Sequence, residues 1–527
     1  MTFESPIITK PKMEPRAYQS AIVETCKTKN CLVILPTGMG KTLVALLLAQ
    51  ERLKLYPDSK ILLLAPTRPL VEQHFDSFKK DFPNSEDYEI HIFTGKINSA
   101  KRAEIWKRAQ IIFSTPQCIH NDLEKGIINL KDVSLLIEDE CHRCLKNYSY
   151  TYVSKKYKEQ ALHERILGLT ASPGSDKEKV REICDNLNIE EVEVRTRESE
   201  DVIPYLQKLT YDLVKIDFPQ ELRDIRVLLK ALYDKRIEEL QNRKLIFKQV
   251  TKVTLLELQF KLRNMVLQGN KNFNVLRGIS VCAQAIKIGH ALELLETQTL
   301  ETLVKYLNEM HNQAKEKKSK GVVQIVNSNF FQDAYTLATK LFEQGFEHPK
   351  LAKLLEIVQE TLKNNSNAKI LIFSQYRDTG ATINERLNKS GIKSAVFIGQ
   401  AKKKLVDGLS QKEQHAILHK FKQGELSCLV STSIGEEGLD IPEVNLVVFY
   451  EPVPSAIRKI QRAGRTARLK PGRLVILMTQ GTRDESYHWA SFHKEKKMYN
   501  ILDQVKSDLK KDALKGDKKQ KSLGSFT

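Results

Sequence analysis

The chain has 527 residues, with 84 Lys and Arg against 65 Asp and Glu, a formal net charge of +19. A 41% hydrophobic and 28% charged composition belongs to folded rather than disordered protein, and the length suggests three or four domains at roughly 100–200 residues each. No apolar run approaches the roughly 20 residues of a membrane span, and the N-terminus lacks a charged-then-apolar secretory pattern, so a cytoplasmic protein is expected.

Eight cysteines lie scattered at 26, 31, 118, 141, 144, 184, 282 and 428, as in a chain of reduced thiols. Cys141 and Cys144 form the only Cys-x-x-Cys, with no second pair at finger-like spacing, so a zinc site is not expected. The basic excess points toward a polyanion, because Lys and Arg neutralise phosphates and release counterions.

In chain order, five short Ile/Leu/Val-rich runs predict strands at Cys31–Leu35, Ile61–Ala65, Ile111–Ser114, Leu135–Glu138 and Ile166–Leu169, with helical stretches between most of them. Near-continuous apolar strands alternating with helices predict a parallel sheet covered on both faces. From Ile203 to Glu347 no strand run is evident and helix-type spacing takes over, as in Leu228-Leu229-x-x-Leu232. The strand rhythm returns at Ile370–Phe373, Ser394–Ile398, Cys428–Ser431, Leu446–Tyr450 and Arg473–Met478. The expected fold is therefore α/β, two parallel-sheet domains with a helical domain inserted between them. The expected boundaries are 1–202, 203–347 and 348–504, followed by a basic flexible tail at 505–527. Residues 241–290 carry nine basic residues, including Arg243, Lys244, Lys248 and Lys252, against the single acid Glu257. So lopsided a stretch favours a phosphate-facing surface.

Three clusters carry chemistry. Leu35-Pro-Thr-Gly-Met-Gly-Lys-Thr42 lies between the first strand and an apolar helix, the setting of a phosphate loop. Gly38 and Gly40 would let backbone N–H groups close around phosphate oxygens, Lys41 would reach the β- and γ-phosphates, and Thr42 would offer its hydroxyl to Mg²⁺. About a hundred residues on, an apolar run ends in Glu138-Asp-Glu-Cys-His142. Asp139 would hold Mg²⁺ through water, and Glu140 would orient or deprotonate the attacking water. Finally, Ile460-Gln-Arg-Ala-Gly-Arg-Thr-Ala-Arg468 offers arginines for the charge on a transferred phosphoryl group. Arg465 and Arg468 would share one face if that segment is helical.

Together these clusters resemble a superfamily-2 helicase with Asp-Glu-Cys-His (139–142) as its DExH box. The remaining motifs fall in order: Tyr18-Gln19 resembles the adenine-reading Q motif, Ala65–Gln73 motif Ia, Thr94-Gly95 motif Ib and Thr115-Pro116 motif Ic. Thr170–Ser172 resembles motif III, Ile372–Gln375 motif IV, Ser431–Asp440 motif V and Gln461–Arg468 motif VI. Leu167–Pro173, Gly399–Ala401 with Gly408–Gln411, Gly435–Glu443 and Phe449–Ala456 are similar to the archaeal Hef proteins, relatives of FANCM.

The resemblance implies two RecA-like domains around one ATP, with a thumb-like helical insertion. It adds Gln19, Thr37, Met39, Gly438 and Asp440 to the nucleotide site and Gln461 to the catalytic set. It makes Arg68, Thr94, Gly95, Thr115, Ser374 and Thr432 nucleic-acid grips. It further implies an ATP-dependent translocase on forked or four-way DNA in replication-fork repair. The longest relatives end in a nuclease with a Glu-Arg-Lys-x-x-x-Asp motif; this chain has none, so nuclease activity is not expected. Two other readings compete. An RNA-directed ATPase is one, because Dicer-type and innate-sensor helicases share the DECH box and a helical insertion. The other is a non-enzymatic scaffold, against which the intact Lys41, Asp139, Glu140, Arg465 and Arg468 speak.

Overall fold

The computed structural model describes residues 14–247, 250–399, 408–432, 435, 441–467 and 470–523, with side chains through 512. Lys248, Gly438, Asp440 and Arg468 lie outside the described residues.

The first sheet has seven strands: β1 (Cys31–Ile34), β2 (Lys60–Leu64), β3 (Ile90–Phe93), β4 (Ile111–Ser114), β5 (Val133–Asp139), β6 (Ile166–Thr170) and β7 (Glu191–Val194). They run parallel in the order β3-β4-β2-β5-β6-β1-β7. The second sheet has six, β8 (Leu209–Ile216), β9 (Ile370–Phe373), β10 (Ser394–Phe397), β11 (Cys428–Ser431), β12 (Leu446–Phe449) and β13 (Gly472–Thr479), parallel in the order β10-β11-β9-β12-β13-β8. Helices cover both faces of each sheet, so alternate strand residues enter opposite cores. In β1, Leu32 and Ile34 join one core while Cys31 and Val33 join the other. In β9, Ile370 and Ile372 separate in the same way from Leu371 and Phe373. Burial on both faces is why these strands read as unbroken apolar runs.

Between the sheets stand the helices Gln220–Asn242, Lys252–Leu267, Phe273–Thr297, Leu300–Lys315, Lys320–Val326 and Asn329–Glu343, which enclose cores of their own.

Two expectations need correcting. The 203–347 segment is not free of strands, since β8 pairs in full register with β13 of the second sheet. It sits at a sheet edge with Thr210 and Tyr211 exposed and Asp212 and Lys215 within it, so its apolar signal is diluted. Nor is 505 the start of a flexible tail. Helix Arg483–Leu523 runs through that boundary, and Met498, Ile501, Leu502 and Val505 are buried in a core of the first domain. Ion pairs Lys177–Asp508 (3.0 Å) and Arg181–Asp512 (2.9 Å) fasten the helix further along. The last helix of the second domain thus returns to the first.

Candidate nucleotide and nucleic-acid sites

Apart from Gln19, on the helix Ala17–Thr28 before the first strand, the candidate residues of the first domain lie at the carboxyl ends of its strands, where parallel α/β sheets bind ligands. The strand order divides this edge in two. β1, β5 and β6 deliver the phosphate loop, the acid pair and Thr170, whereas Arg68, Thr94 with Gly95, and Thr115 follow the adjacent strands β2, β3 and β4.

The phosphate loop needs its glycines. Gly38 and Gly40 have φ of 85° and 79°, and a Cβ on Gly40 would stand 2.2 Å from Gln19 Nε2. The loop is held from outside, because Tyr18 Oη and Gln19 Nε2 donate to the Met39 carbonyl at 2.8 and 3.2 Å. Gln19 Oε1 meanwhile accepts from the Arg16 N–H. The Q-motif glutamine therefore spends its amide on shaping the loop. Lys41 and Thr42 open the helix Lys41–Leu55 behind it, both partly buried.

β5 is buried along its whole length and ends in the acid pair. Asp139 is nearly inaccessible, and His74 Nε2 lies 2.8 Å from its Oδ2. Burial alone would raise the Asp139 carboxyl, but His74 and Lys41 outweigh it and hold the group at about 2. Glu140 is likewise held below its ordinary value, burial being outweighed by Lys41 and His142 together; Lys41 Nζ lies 4.0 Å from its Oε1. Both acids are therefore ionised near neutrality. Glu140 has φ of 51°, the left-handed region that non-glycine residues occupy at a cost of roughly 1–3 kcal/mol, and such strain gathers at working sites. His142 Nδ1 lies 3.3 Å from Glu140 Oε2 and 3.1 Å from Thr170 Oγ1, joining the acid pair to β6.

Glu138 behaves differently. It is fully buried and burial pushes its carboxyl up to about 8, with Ser154 Oγ donating to it at 2.8 Å. It is a neutral core group, not part of the site.

The residues fit a hydrated Mg²⁺. Asp139 Oδ1 is buried without a hydrogen-bond donor, so a hard oxygen atom is left for a cation and its waters. Among the described residues no three His, Cys, Asp or Glu gather as a complete metal cage, Cys141 and Cys144 included. Mg²⁺ commonly needs none, taking one or two carboxylates together with substrate phosphates.

The second domain meets this site through motif VI. Helix Ala456–Ala463 carries the buried Gln461 and Arg462 and ends at Gly464. A Cβ on Gly464 would stand 2.5 Å from the Thr37 side chain, so the two domains touch at the phosphate loop. Arg465 lies beyond the helix, in a turn where its carbonyl accepts from Val444 N–H at 3.2 Å. The helix stops at Ala463, so Arg465 stands outside it; Arg468, expected to share a helical face with it, lies outside the described residues.

Arg462, which sequence reasoning passed over, is fully buried with its guanidinium 4.8 Å from the Phe373 ring centre and 5.6 Å from that of Phe449. Nearby, burial raises the Glu451 carboxyl to about 7 against the pull of Arg462 and Lys350, and its Oε1 accepts from the Gln375 N–H at 2.6 Å. Motifs IV and VI are thereby bound into one unit. Glu451, an acid inside the mostly apolar Phe449–Ala456, was the available signal, whereas Arg462 was masked by the other arginines of its motif.

The expected grips differ in exposure. Arg68 opens helix Arg68–Asp81 and pairs with Glu72 at 2.7 Å, Gly95 is exposed, and Thr94 and Thr115 are partly so. In the second domain, Ser374 and Thr432 sit at the ends of the adjacent strands β9 and β11. Both are buried, and Ser374 Oγ donates to the Tyr376 carbonyl at 3.4 Å. On the helical insert, Arg243 and Arg277 share Glu239, and Lys252 pairs with Glu293 at 2.9 Å. Those acids lie outside the 241–290 window, so its excess of positive charge is smaller in three dimensions than in sequence. Lys244, Lys261, Arg263 and Lys271 are exposed, as are Phe247, Phe260 and Phe273.

Comparison with known proteins agrees with this arrangement. Residues 16–180 match a family model described as DEAD/DEAH box helicase, and residues 349–470 one described as helicase conserved C-terminal domain. A model described as an ATP-dependent RNA helicase helical bundle matches residues 221–345. The Hef helicase domain of Pyrococcus furiosus has a similar crystal structure (TM-score 0.70) at 44% identity, covering 90% of this chain and 98% of that one. A Methanocaldococcus jannaschii protein named as an ATP-dependent RNA helicase, MJ1505, is 42% identical over 95% of this chain and 62% of its own length. The ATP-dependent DNA helicase mph1 of Sclerotinia sclerotiorum is 34% identical, with 90% of this chain and 40% of its own length covered. For the Fanconi anemia group M protein homolog of Mus musculus the identity is 31%, with 92% and 26% covered. The chain thus spans less than two thirds of these three relatives. With two parallel sheets, a helical bundle between them and a phosphate loop facing motif VI, the chain belongs to the Hef/FANCM family of superfamily-2 ATP-dependent helicases.

Proposed function

We propose that the protein is an ATP-driven DNA helicase or translocase that acts on forked or branched DNA in replication-fork repair. The contact of Gly464 with Thr37 carries the reading, because it puts motif VI of one sheet domain over the phosphate loop of the other. In this reading the loop from Thr37 to Thr42 cradles the ATP phosphates, with Lys41 charged toward them, and Gln19 keeps the loop in shape. Thr42 and Asp139 hold Mg²⁺, which neutralises phosphate charge when bound. Glu140, ionised and steered by His142, takes the proton of the attacking water, and Arg465 faces the charge that develops on the γ-phosphoryl group. Gln461, Arg468, Gly438 and Asp440 complete the second domain's share.

Each cycle would close and reopen the cleft and so change the spacing of two nucleic-acid grips. Arg68, Thr94, Gly95 and Thr115 form one of them. Thr432 and the backbone around Ser374 form the other, since the Ser374 hydroxyl is turned inward. Lys244, Lys261, Arg263 and Lys271, with exposed phenylalanines between them, suit a phosphate backbone flanked by unpaired bases. No described helix is long and apolar enough to cross a membrane.

DNA is favoured by the names of the mph1 and Fanconi relatives, and RNA by that of the M. jannaschii protein. Titrating ATP hydrolysis with single-stranded, duplex, forked and four-way DNA and with matched RNA separates them. Forked and four-way DNA are expected to stimulate most. Stimulation by RNA alone would replace this reading with the RNA-directed one.

A further inference from the structure

Helix Arg68–Asp81 carries one residue for each half of the first domain's ligand edge. Its first residue, Arg68, belongs to the group of Thr94 and Thr115. His74, six residues and roughly 9 Å further along the axis, lies buried beneath the acid pair, with Nε2 2.8 Å from Asp139 Oδ2. Val71 and Phe78 anchor the helix on either side of His74, both inaccessible in the core, and Phe78 meets Phe113 of β4 edge-on. Arg68 and His74 thus stand on one helix whose inner face is packed in the core.

The bond to His74 also decides how Asp139 presents itself. A carboxylate can only accept, so in this 2.8 Å contact Nε2 is the donor to Oδ2. Oδ1 is left buried without a donor, and so is His74 Nδ1 on the far side of the ring. One carboxylate oxygen is thus occupied by protein and the other is left without a partner. A histidine that served only to fill the core would need neither this partner nor this helix.

We propose that His74 is a positioning residue, turning Asp139 Oδ1 toward the cation that accompanies ATP and linking that orientation to nucleic acid held at Arg68. The inference rests on the readings of Asp139 as a Mg²⁺-holding group and of Arg68 as a nucleic-acid grip.

The test compares the parental chain with His74→Leu, which fills the space without a donor, and His74→Gln, whose side-chain amide can donate to the same oxygen. ATP hydrolysis and, separately, binding of a fluorescent non-hydrolysable ATP analogue are each titrated with Mg²⁺, with and without forked DNA, and folding is followed by thermal melting. Loss of such a supporting hydrogen bond commonly weakens metal binding by about 10–100-fold. His74→Leu is therefore expected to raise the half-activating Mg²⁺ concentration about tenfold or more and to lower the ratio of DNA-stimulated to unstimulated rate severalfold. His74→Gln should stay within about threefold of the parent in both. Should His74→Leu fail to fold, His74→Asn, with an amide too short to reach Oδ2, takes its place with the same expectation. Equal shifts in the donor and non-donor variants, or none in either, would overturn the inference while leaving the ATP site standing. A parental chain whose hydrolysis is Mg²⁺-independent, or no faster than that of Lys41→Ala, would instead remove the ATP-site reading and this inference with it.

Discussion

At the scale of single residues, the site is built from close approaches that tolerate little change. Gly464 has φ of −69°, which any residue can adopt, so its requirement is space rather than backbone freedom. Gly464→Ala places a methyl carbon against Thr37 and should hold the domains apart. The expected result is a fall of at least about tenfold in ATP turnover, with a melting temperature within a few degrees of the parent. Unchanged turnover would show that the contact is not needed for hydrolysis. Glu138 makes a separate prediction. Its carboxyl rises from 4.5 to about 8 on folding, so between those values the folded state keeps a proton that the unfolded state has lost. Stability from this group is fully present below about 4.5 and declines as pH climbs toward 8. Glu138→Gln should therefore gain in melting temperature relative to the parent as pH rises from 5 to 8, and a constant difference would contradict the shift.

At the scale of elements, what the sequence shows depends on where an element sits. All the strands buried on both faces in the sheet interiors were legible as apolar runs. The three that were missed, β3 (Ile-His-Ile-Phe), β7 (Glu-Val-Glu-Val) and β8, are all sheet edges, where one side meets solvent or a loop and polar residues are admitted. The phosphate loop and acid pair were legible because their chemistry needs particular residues at short spacing. The grip of His74 on Asp139, 65 positions apart, and the burial of Arg462 against Phe373 and Phe449 depend on tertiary placement and left only faint traces. The final helix shows the same limit, since its lysine-rich composition hid Ile501, Leu502 and Val505. Leu502→Ala removes a fully packed side chain and should destabilise the protein by ~2–5 kcal/mol, measurable as a lowered midpoint in denaturant. A midpoint equal to the parent's would mean that the helix does not fasten the first domain.

At the scale of the whole molecule, the proposed function has one carboxyl edge serving two ligands. In it, neighbouring strands supply the ATP half and the nucleic-acid half, while the second domain meets the first at Gly464. The basic excess is spread unevenly around this motor. Reversing Lys244, Lys261, Arg263 and Lys271 to Glu should weaken fork binding and flatten its salt dependence, each lost phosphate contact removing about 0.9 from the log–log slope. Reversal of Arg243 and Lys252, already matched by Glu239 and Glu293, should do less. Equal effects from the two sets would mean that position, not unpaired charge, governs the surface.

The central claim is that ATP is hydrolysed between the two sheet domains, and Arg465 tests it most directly because it comes from the domain that lacks the phosphate loop. Steady-state ATP hydrolysis with saturating forked DNA should fall about a hundredfold or more in Arg465→Ala while the variant still binds ATP. Hydrolysis at the parental rate would contradict the account.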